Sequence, residues 1–320
     1  MSEANFGYLL ALTALLFFTS GILVAKAATS RLDLGLGFLV ATTMNVLLSG
    51  LVFLLQLGLR PEALAWNSQA FWVFAAAGIF STYFGRWFFY EAVVRFGPAK
   101  ASIFQVSSPI FTALMAWSLL GESLSSGVML GVVFAVGGLM LVSYKPGFSS
   151  RRIARDTDLD TDRNADDVKK ATSGVLPQSI LLLGLGSSLA YAIGNFLRGS
   201  AVRDWNEPVL GGFLGAASGL LLHLAFTPGK MQLLKRLKTA NRKGVWLFAL
   251  LGFFTISGQI FGIAAMRHIP LSIATLISLC TPVLVFPLSY LLFRTSDDFT
   301  PRVLVGTALT LLGIFIVVVR

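Results

Sequence analysis

FGYLLALTALLFFTSGILVAKA, residues 6–27, runs twenty residues from Phe6 to Ala25 before meeting its first charge at Lys26. At about 1.5 Å of rise per residue, twenty helical residues cover about 30 Å, the thickness of a bilayer's hydrocarbon core. Runs of the same kind recur down the chain and end with Val303 to Val319. Of 320 residues, 55% are hydrophobic and 12% charged, about half the charged share of an ordinary soluble domain. A soluble protein with so little charge would lack the groups to cover its surface. Lipid is the alternative solvent, and inside lipid each segment must satisfy its own backbone, so each run is read as a helix. The expected fold class is an all-α membrane protein.

Ten spans are expected, at about 6–27, 34–57, 68–93, 98–120, 125–144, 176–198, 208–227, 245–267, 271–293 and 302–319. One segment differs in kind. Residues 145–175 are crowded with charge and nearly free of apolar side chains, the composition of a solvated linker. Asp156, Asp158 and Asp160 open like a calcium loop, but Thr161 and Asp167 stand where glycine and glutamate are needed, so the linker reading is preferred. The linker divides the chain into a first five-helix repeat, 1–144, and a second, 176–320.

The halves resemble each other. Ser108-Pro109 recurs as Thr281-Pro282, 173 positions on, and the same offset puts Gly21 on Gly194, Ala92 on Ala265 and Ala101 on Ala274. Trp72 falls on Trp246 and Gly78 on Gly252 at an offset one residue larger; Gly131 and Gly138 match Gly306 and Gly313 after a two-residue shift. Five spans is an odd number, so the second half enters the membrane from the opposite side. The expected architecture is therefore two inverted five-helix repeats, an arrangement found in transporters.

The net charge of +10 does not indicate nucleic acid, because the cations lie between apolar runs and form no basic face. One set of alternate loops holds Lys26, Arg31, Arg95, Lys100, the seven linker cations, Lys230, Lys235, Arg236, Lys238, Arg242, Lys243, Arg294 and Arg302. The other set, with the C-terminus, holds Arg60, Arg198, Arg203, Arg267 and Arg320. Cytoplasmic loops carry the basic excess, which places both termini outside a cell (plasma) membrane. Glu3 and the lack of a basic residue before Phe6 describe a retained span better than a cleaved signal. Cys280 is the only cysteine, so neither an intramolecular disulfide nor a cysteine metal cage is available.

The stretch Tyr90-Glu91-Ala92, Gly97-Pro98-Ala99-Lys100-Ala101-Ser102, Pro109, Gly121-Glu122, Gly131 and Gly137-Gly138 resembles the closing part of an EamA domain, of the drug/metabolite transporter superfamily. The second half repeats it in Ala265, Pro270-Leu271-Ser272-Ile273-Ala274-Thr275, Pro282, Gly306 and Gly313, with Arg294-Thr295 in place of Gly121-Glu122. The resemblance covers nearly the whole chain apart from the linker. It implies ten helices, a central cavity between the halves, and export or exchange of small metabolites.

Candidate site residues are the polar groups at membrane depth. Proline removes a helix hydrogen bond and frees the carbonyl four residues earlier, so Pro109 and Pro282 are expected to kink their spans and expose carbonyls at Gln105 and Ser278. Near them lie Ser108 and Thr281. Paired breaks in matching helices point to a transport site; a purely structural kink is the alternative. Arg86 lies well inside span three, where a buried cation costs at least about 2.5 kcal/mol. It either attracts an anionic group or snorkels to the interface. Glu91 and His223 are the candidates for proton coupling, set against interfacial and packing roles. Asn45, Tyr83, Tyr191, Asn195 and Gln259 either line a cavity or tie helices together. Gly127-x-x-x-Gly131 and Gly211-x-x-x-Gly215-x-x-x-Gly219 are packing ridges, and no Walker sequence is present. The expectation is a secondary transporter (exporter or exchanger) of a small metabolite, an amino acid or organic anion, needing no cofactor or metal. Its partners are the solute and the bilayer. An intramembrane enzyme or a non-transporting receptor or scaffold are the rival readings.

Overall fold

The computed structural model describes residues 2–29, 31–89, 108–121, 125–143, 178–226, 230–281, 284, 288 and 301–319. All regular structure among them is helical. In chain order the elements are α1 (Glu3–Thr29), α2 (Leu34–Leu59), α3 (Ser68–Gly78), which passes into a π-helical stretch (Ile79–Gly85), α4 (Ser108–Leu120), α5 (Ser126–Ser143), α6 (Gln178–Asp204), α7 (Pro208–Phe226), α8 (Lys230–Thr239), α9 (Arg242–His268), α10 (Leu271–Leu279) and α11 (Pro301–Val319). Each expected span contains a described helix, whole or in part. The linker, Glu91, Gln105 and Pro282 lie outside the described residues.

The helix starts follow local chemistry. Asp33 accepts from the Leu36 amide at 3.3 Å, Asn67 from that of Ala70 at 3.0 Å, and Asn241 from that of Lys243 at 3.0 Å, each satisfying an amide that a helix N-terminus leaves unpaired. Within the spans, hydroxyls bond back to their own helix, as Thr19 donates to the Leu15 carbonyl at 2.7 Å and Thr42 to that of Phe38 at 2.8 Å. Among the described residues four helices, Glu3–Thr29, Gly35–Leu59, Pro208–Phe226 and Arg242–His268, are long and apolar enough to cross a membrane by themselves. Many large apolar side chains point outward, Leu54 being 64% and Trp246 76% exposed, while Ala14, Ser49, Ala192 and Thr310 are completely buried beside a smaller set of large ones such as Phe74 and Ile256. An apolar exterior with small residues at many helix contacts is the arrangement expected where lipid bathes the outside and packing holds helices together.

The repeats interlock about a two-fold relation. The first helix of each half packs on the third helix of the other: α1 on α9, and α6 on α3. The second helices do the same, α2 against α9 and α7 against α3. The closing helices α5 and α11 pair with each other. The glycines that match in sequence also match in space. A Cβ on Gly138 would strike the Gly306 carbonyl, and one on Gly313 would strike that of Gly131. A Cβ on Gly78 would enter the Gly215 backbone, and one on Gly252 would come within 2.6 Å of the Ala41 carbonyl oxygen. Thr310 completes the α5–α11 crossing, its hydroxyl lying 2.8 Å from the Gly306 carbonyl and 3.4 Å from that of Ala135.

The π-helical stretch Ile79–Gly85 accounts for the one-residue jump in the repeat. Gly78 matches Gly252 at 174 and Ala92 matches Ala265 at 173, so the first half carries one residue more between those points. The corresponding part of α9 is uninterrupted α-helix. A π turn closes on the amide five residues ahead and accommodates an extra residue without breaking the helix.

The two ends of the molecule differ in charge. At one end Leu237 of α8 packs on the cluster of Ala28, Leu32, Leu36 and Phe248, which gathers the α1–α2 turn, α8 and the start of α9. Arg31, Lys235, Arg236, Lys238, Arg242 and Lys243 belong to these segments. The sequence reading had placed residues 228–244 in a loop; α8 occupies most of it, a short basic helix whose sequence, KMQLLKRLKT, is too polar to register as a span. At the opposite end Trp66 meets Trp205 edge-on at 5.5 Å, Arg267 donates to the Arg203 carbonyl, and Phe6 lies edge-on to His268 at 5.1 Å.

Candidate functional site between the repeats

Arg198 requires a correction. Counted with the loop cations, it is in fact inside α6, which continues to Asp204, and it is only 6% exposed. The span estimate ended at the charge itself, because hydropathy cannot tell a cation at a helix end from one turned inward. Arg198 makes no hydrogen bond or ion pair with a described residue, and its Nε is sealed without an acceptor. Tyr191, Asn195 and Arg198 are spaced four and three apart and so form one stripe of α6. The Tyr191 phenol and the cation of Arg86 are both near enough to act electrostatically on Arg198.

Opposite Arg198 lie α7 and α9. A Cβ at Gly215 would be 3.4 Å from Arg198 Nη2 and 3.4 Å from Gln259 Nε2. Two nitrogen donors from two helices therefore flank one point on a third, and that point is open because residue 215 is glycine. The Gln259 Nε2 is also buried without a partner. Gly215 lies seven residues inside α7 and Gln259 nine from the end of α9, which puts the point about 10–14 Å below the helix ends, well within hydrocarbon depth. One turn along α9, Gly262 faces the Ser278 hydroxyl, 3.9 Å from its Cβ position. Ser278 of α10 and Ser108 of α4 both carry buried hydroxyls without partners.

A second layer lies toward the basic end. The Arg86 guanidinium sits over the Phe38 ring at 5.2 Å, and His223 meets the same ring edge-on at 4.6 Å. A cation on an aromatic face recovers about 0.5–2 kcal/mol of what leaving water costs it. Arg86 thus has a neutral aromatic partner on α2. Tyr83, buried, packs in an aromatic group with Trp87 at 5.7 Å and Phe226 at 6.0 Å. Tyr191 covers Gly85, and Ser187 donates to the Gly85 carbonyl at 2.7 Å, anchoring the end of the π stretch to α6.

The remaining candidates separate from this cluster. Asn45, 1% exposed, turns its amide NH2 to the carbonyls of Ala41 at 2.9 Å and Gly252 at 2.7 Å, tying α2 to α9. Thr281 donates to the Ser278 carbonyl at 3.0 Å. The α10 helix ends at Leu279, and Cys280, with ψ of 14°, bonds its amide to the carbonyl of Ile277, three residues back. This turn lies just before Thr281-Pro282, and Pro282 itself is outside the described residues. Pro109 is the second described residue of α4. Arg198 is the functional candidate that sequence reading missed; its position 173 after Ala25 in span one was a signal that it lay inside a span.

The model of the EamA-like transporter family matches residues 5–144 and 178–319. No curated protein matches the chain. A solved structure titled "Crystal structure of protein" superposes with a TM-score of 0.71 at 16% identity, covering 98% of this chain and 96% of the other, a likeness of fold.

Proposed function

From the premise that the chain belongs to the EamA-like transporter family, we propose that it is a secondary transporter carrying a small metabolite, an amino acid or organic anion, by alternating access. The observation that carries this reading is where the unpartnered polar groups sit. Arg198, Gln259, Ser108 and Ser278 carry buried atoms without partners on helices of both halves, and Arg198 and Gln259 face one point on Gly215 while Ser278 lies one turn along α9, at Gly262. Buried polar groups without partners are costly in a bare scaffold, and a solute supplies the missing partners in turn to each side as the halves rock. Tyr191, Asn195, Arg86 and Tyr83 line the approach. Asn45 holds α2 on α9, and His223 and Glu91 are the coupling candidates. The basic end faces the cytoplasm of a cell membrane and both termini face outside, in keeping with the basic excess of cytoplasmic loops. Removal of Arg198 from the loop cations enlarges that bias.

The test is flux in proteoliposomes. The purified full chain is reconstituted and offered a panel of amino acids, mono- and dicarboxylates, amines and neutral metabolites, loaded inside and out. Saturable movement of at least one class, dependent on the protein, is expected. Absence of flux for every class in both directions, with the protein folded, rejects transport.

A further inference from the structure

We propose that Arg198 is the anchor for an oxyanion group of the transported solute, with Gln259 as the second donor across Gly215, so that the cargo is a small organic anion. This rests on the transport reading and narrows it to one class. The first ground is the state of Arg198: buried to all but 6%, with its Nε unpaired and at hydrocarbon depth. A guanidinium in that position needs an anion. The second is the company it keeps. Among the described residues the acids are Glu3, Asp33, Glu62, Asp204 and Glu207, all at helix ends or in loops. None of these described carboxylates lies at that depth to receive the ammonium of a zwitterion, which favours a solute whose net charge is negative.

The third ground is shape. The Arg198 Nη2 and Gln259 Nε2 stand at 3.4 Å from the same vacant Cβ position of Gly215. A solute oxygen resting against the Gly215 Cα, outward of that position, lies between the two nitrogens and within reach of both, and a charge-assisted bond from arginine combined with an amide bond is a strong pair. Glycine keeps the position open, and Gly78, which any side chain would drive into the Gly215 backbone, holds α7 against α3 at that level. One turn along α9 from Gln259, Ser278 offers an unpartnered hydroxyl for the solute's polar remainder. Carboxylates and phosphate monoesters share the oxyanion chemistry, and the experiment separates them.

The full chain in detergent is heated with short mono- and dicarboxylates, the corresponding neutral amides, phosphate monoesters, or sodium chloride at matched ionic strength. The same compounds are followed as flux in proteoliposomes. At least one carboxylate or phosphate ester should raise the melting temperature above the chloride control while its neutral counterpart does not. Arg198→Gln should weaken that response roughly ten- to a hundredfold in apparent affinity, and Arg198→Lys should retain part of it. Monodispersity and helix content establish that the variants fold; should Arg198→Gln not fold, Arg198→Lys and Gln259→Leu carry the comparison. Equal response to acid and amide, an undiminished response in the folded variants, or no anion response at all overturns the proposal. Flux of neutral or amine solutes unaffected by Arg198→Gln leaves transport standing and this anchor rejected. Arg198-dependent anion binding without flux does the reverse.

Discussion

Arg60 and Glu207 form a two-pronged ion pair, Nη1 to Oε1 and Nη2 to Oε2, both at 2.6 Å, that bolts the end of α2 to the α6–α7 loop and so joins the two halves at the less basic end. Glu207 raises the pKa of Arg60 above its ordinary value, first through the hydrogen bond and also through its charge. A raised basic group stabilises fully below its unfolded pKa and loses that contribution only as pH climbs through the folded one. Arg60 therefore adds no pH dependence at neutral pH.

Glu207→Gln should lower stability in detergent by about 1 kcal/mol, the upper range for a partly exposed pair. The loss should shrink as salt is added. Denaturation midpoints at low and high ionic strength measure it. Equal loss at both would mean the carboxylate acts through packing and not charge.

Neighbouring glycines on α5 should respond in opposite ways. A Cβ on Gly137 meets nothing within 4 Å, whereas one on Gly138 enters the Gly306 backbone. Gly137→Ala is expected to be neutral or to add up to about 1 kcal/mol through helix propensity. Gly138→Ala should cost about 1–3 kcal/mol as the α5–α11 crossing is forced apart. Thermal unfolding of both variants in one detergent decides it.

The π stretch can be tested by removing one residue. Deleting Phe84 brings the first half to the length of the second between Gly78 and Ala92, so the flanking segments keep their registers and the stretch is free to close as ordinary α-helix. The deletion should leave the melting temperature unchanged or raised and reduce flux of whichever solute the wild type carries. A π turn kept at a functional site in place of the regular helix trades stability for activity in this way. Retained flux would show the turn to be incidental.

Gly215 and Gly78 face each other, but their substitutions should have different consequences. An alanine Cβ at 215 is 3.4 Å from its neighbours, a tight fit the side chains can absorb, so stability should change by less than about 1 kcal/mol. The methyl group fills the point between Arg198 and Gln259, so KM for the carried solute should rise. Gly78→Ala drives into backbone and should lower stability, typically by about 1–3 kcal/mol. Melting curves paired with uptake kinetics distinguish the two.

Much of the fold was legible beforehand because its causes are local. Apolar runs long enough to span lipid mark the helices, and a repeat at nearly constant offset marks the halves. Even the π stretch left a trace, the step from 174 to 173 between Gly78–Gly252 and Ala92–Ala265, although only the coordinates show that the extra residue is absorbed within a helix. Asn45 and Gln259 looked alike in sequence, as single polar residues in apolar spans. Asn45 finds carbonyls on two helices, whereas the Gln259 Nε2 finds none.

The sequence alone therefore determined solvent, the helical character of the spans and the two-fold organisation, since each depends on composition or on residues near one another in the chain, whereas α8 and the true end of α6 needed the structure. Which polar groups are satisfied was decided only by the tertiary structure. Arg198, Gly215 and Gln259 are far apart along the chain, and they face one another only because glycine and alanine contacts let α3, α6, α7 and α9 pack closely. Burial and partnership belong to that packing, and with them the difference between a loop cation and a charge awaiting an anion.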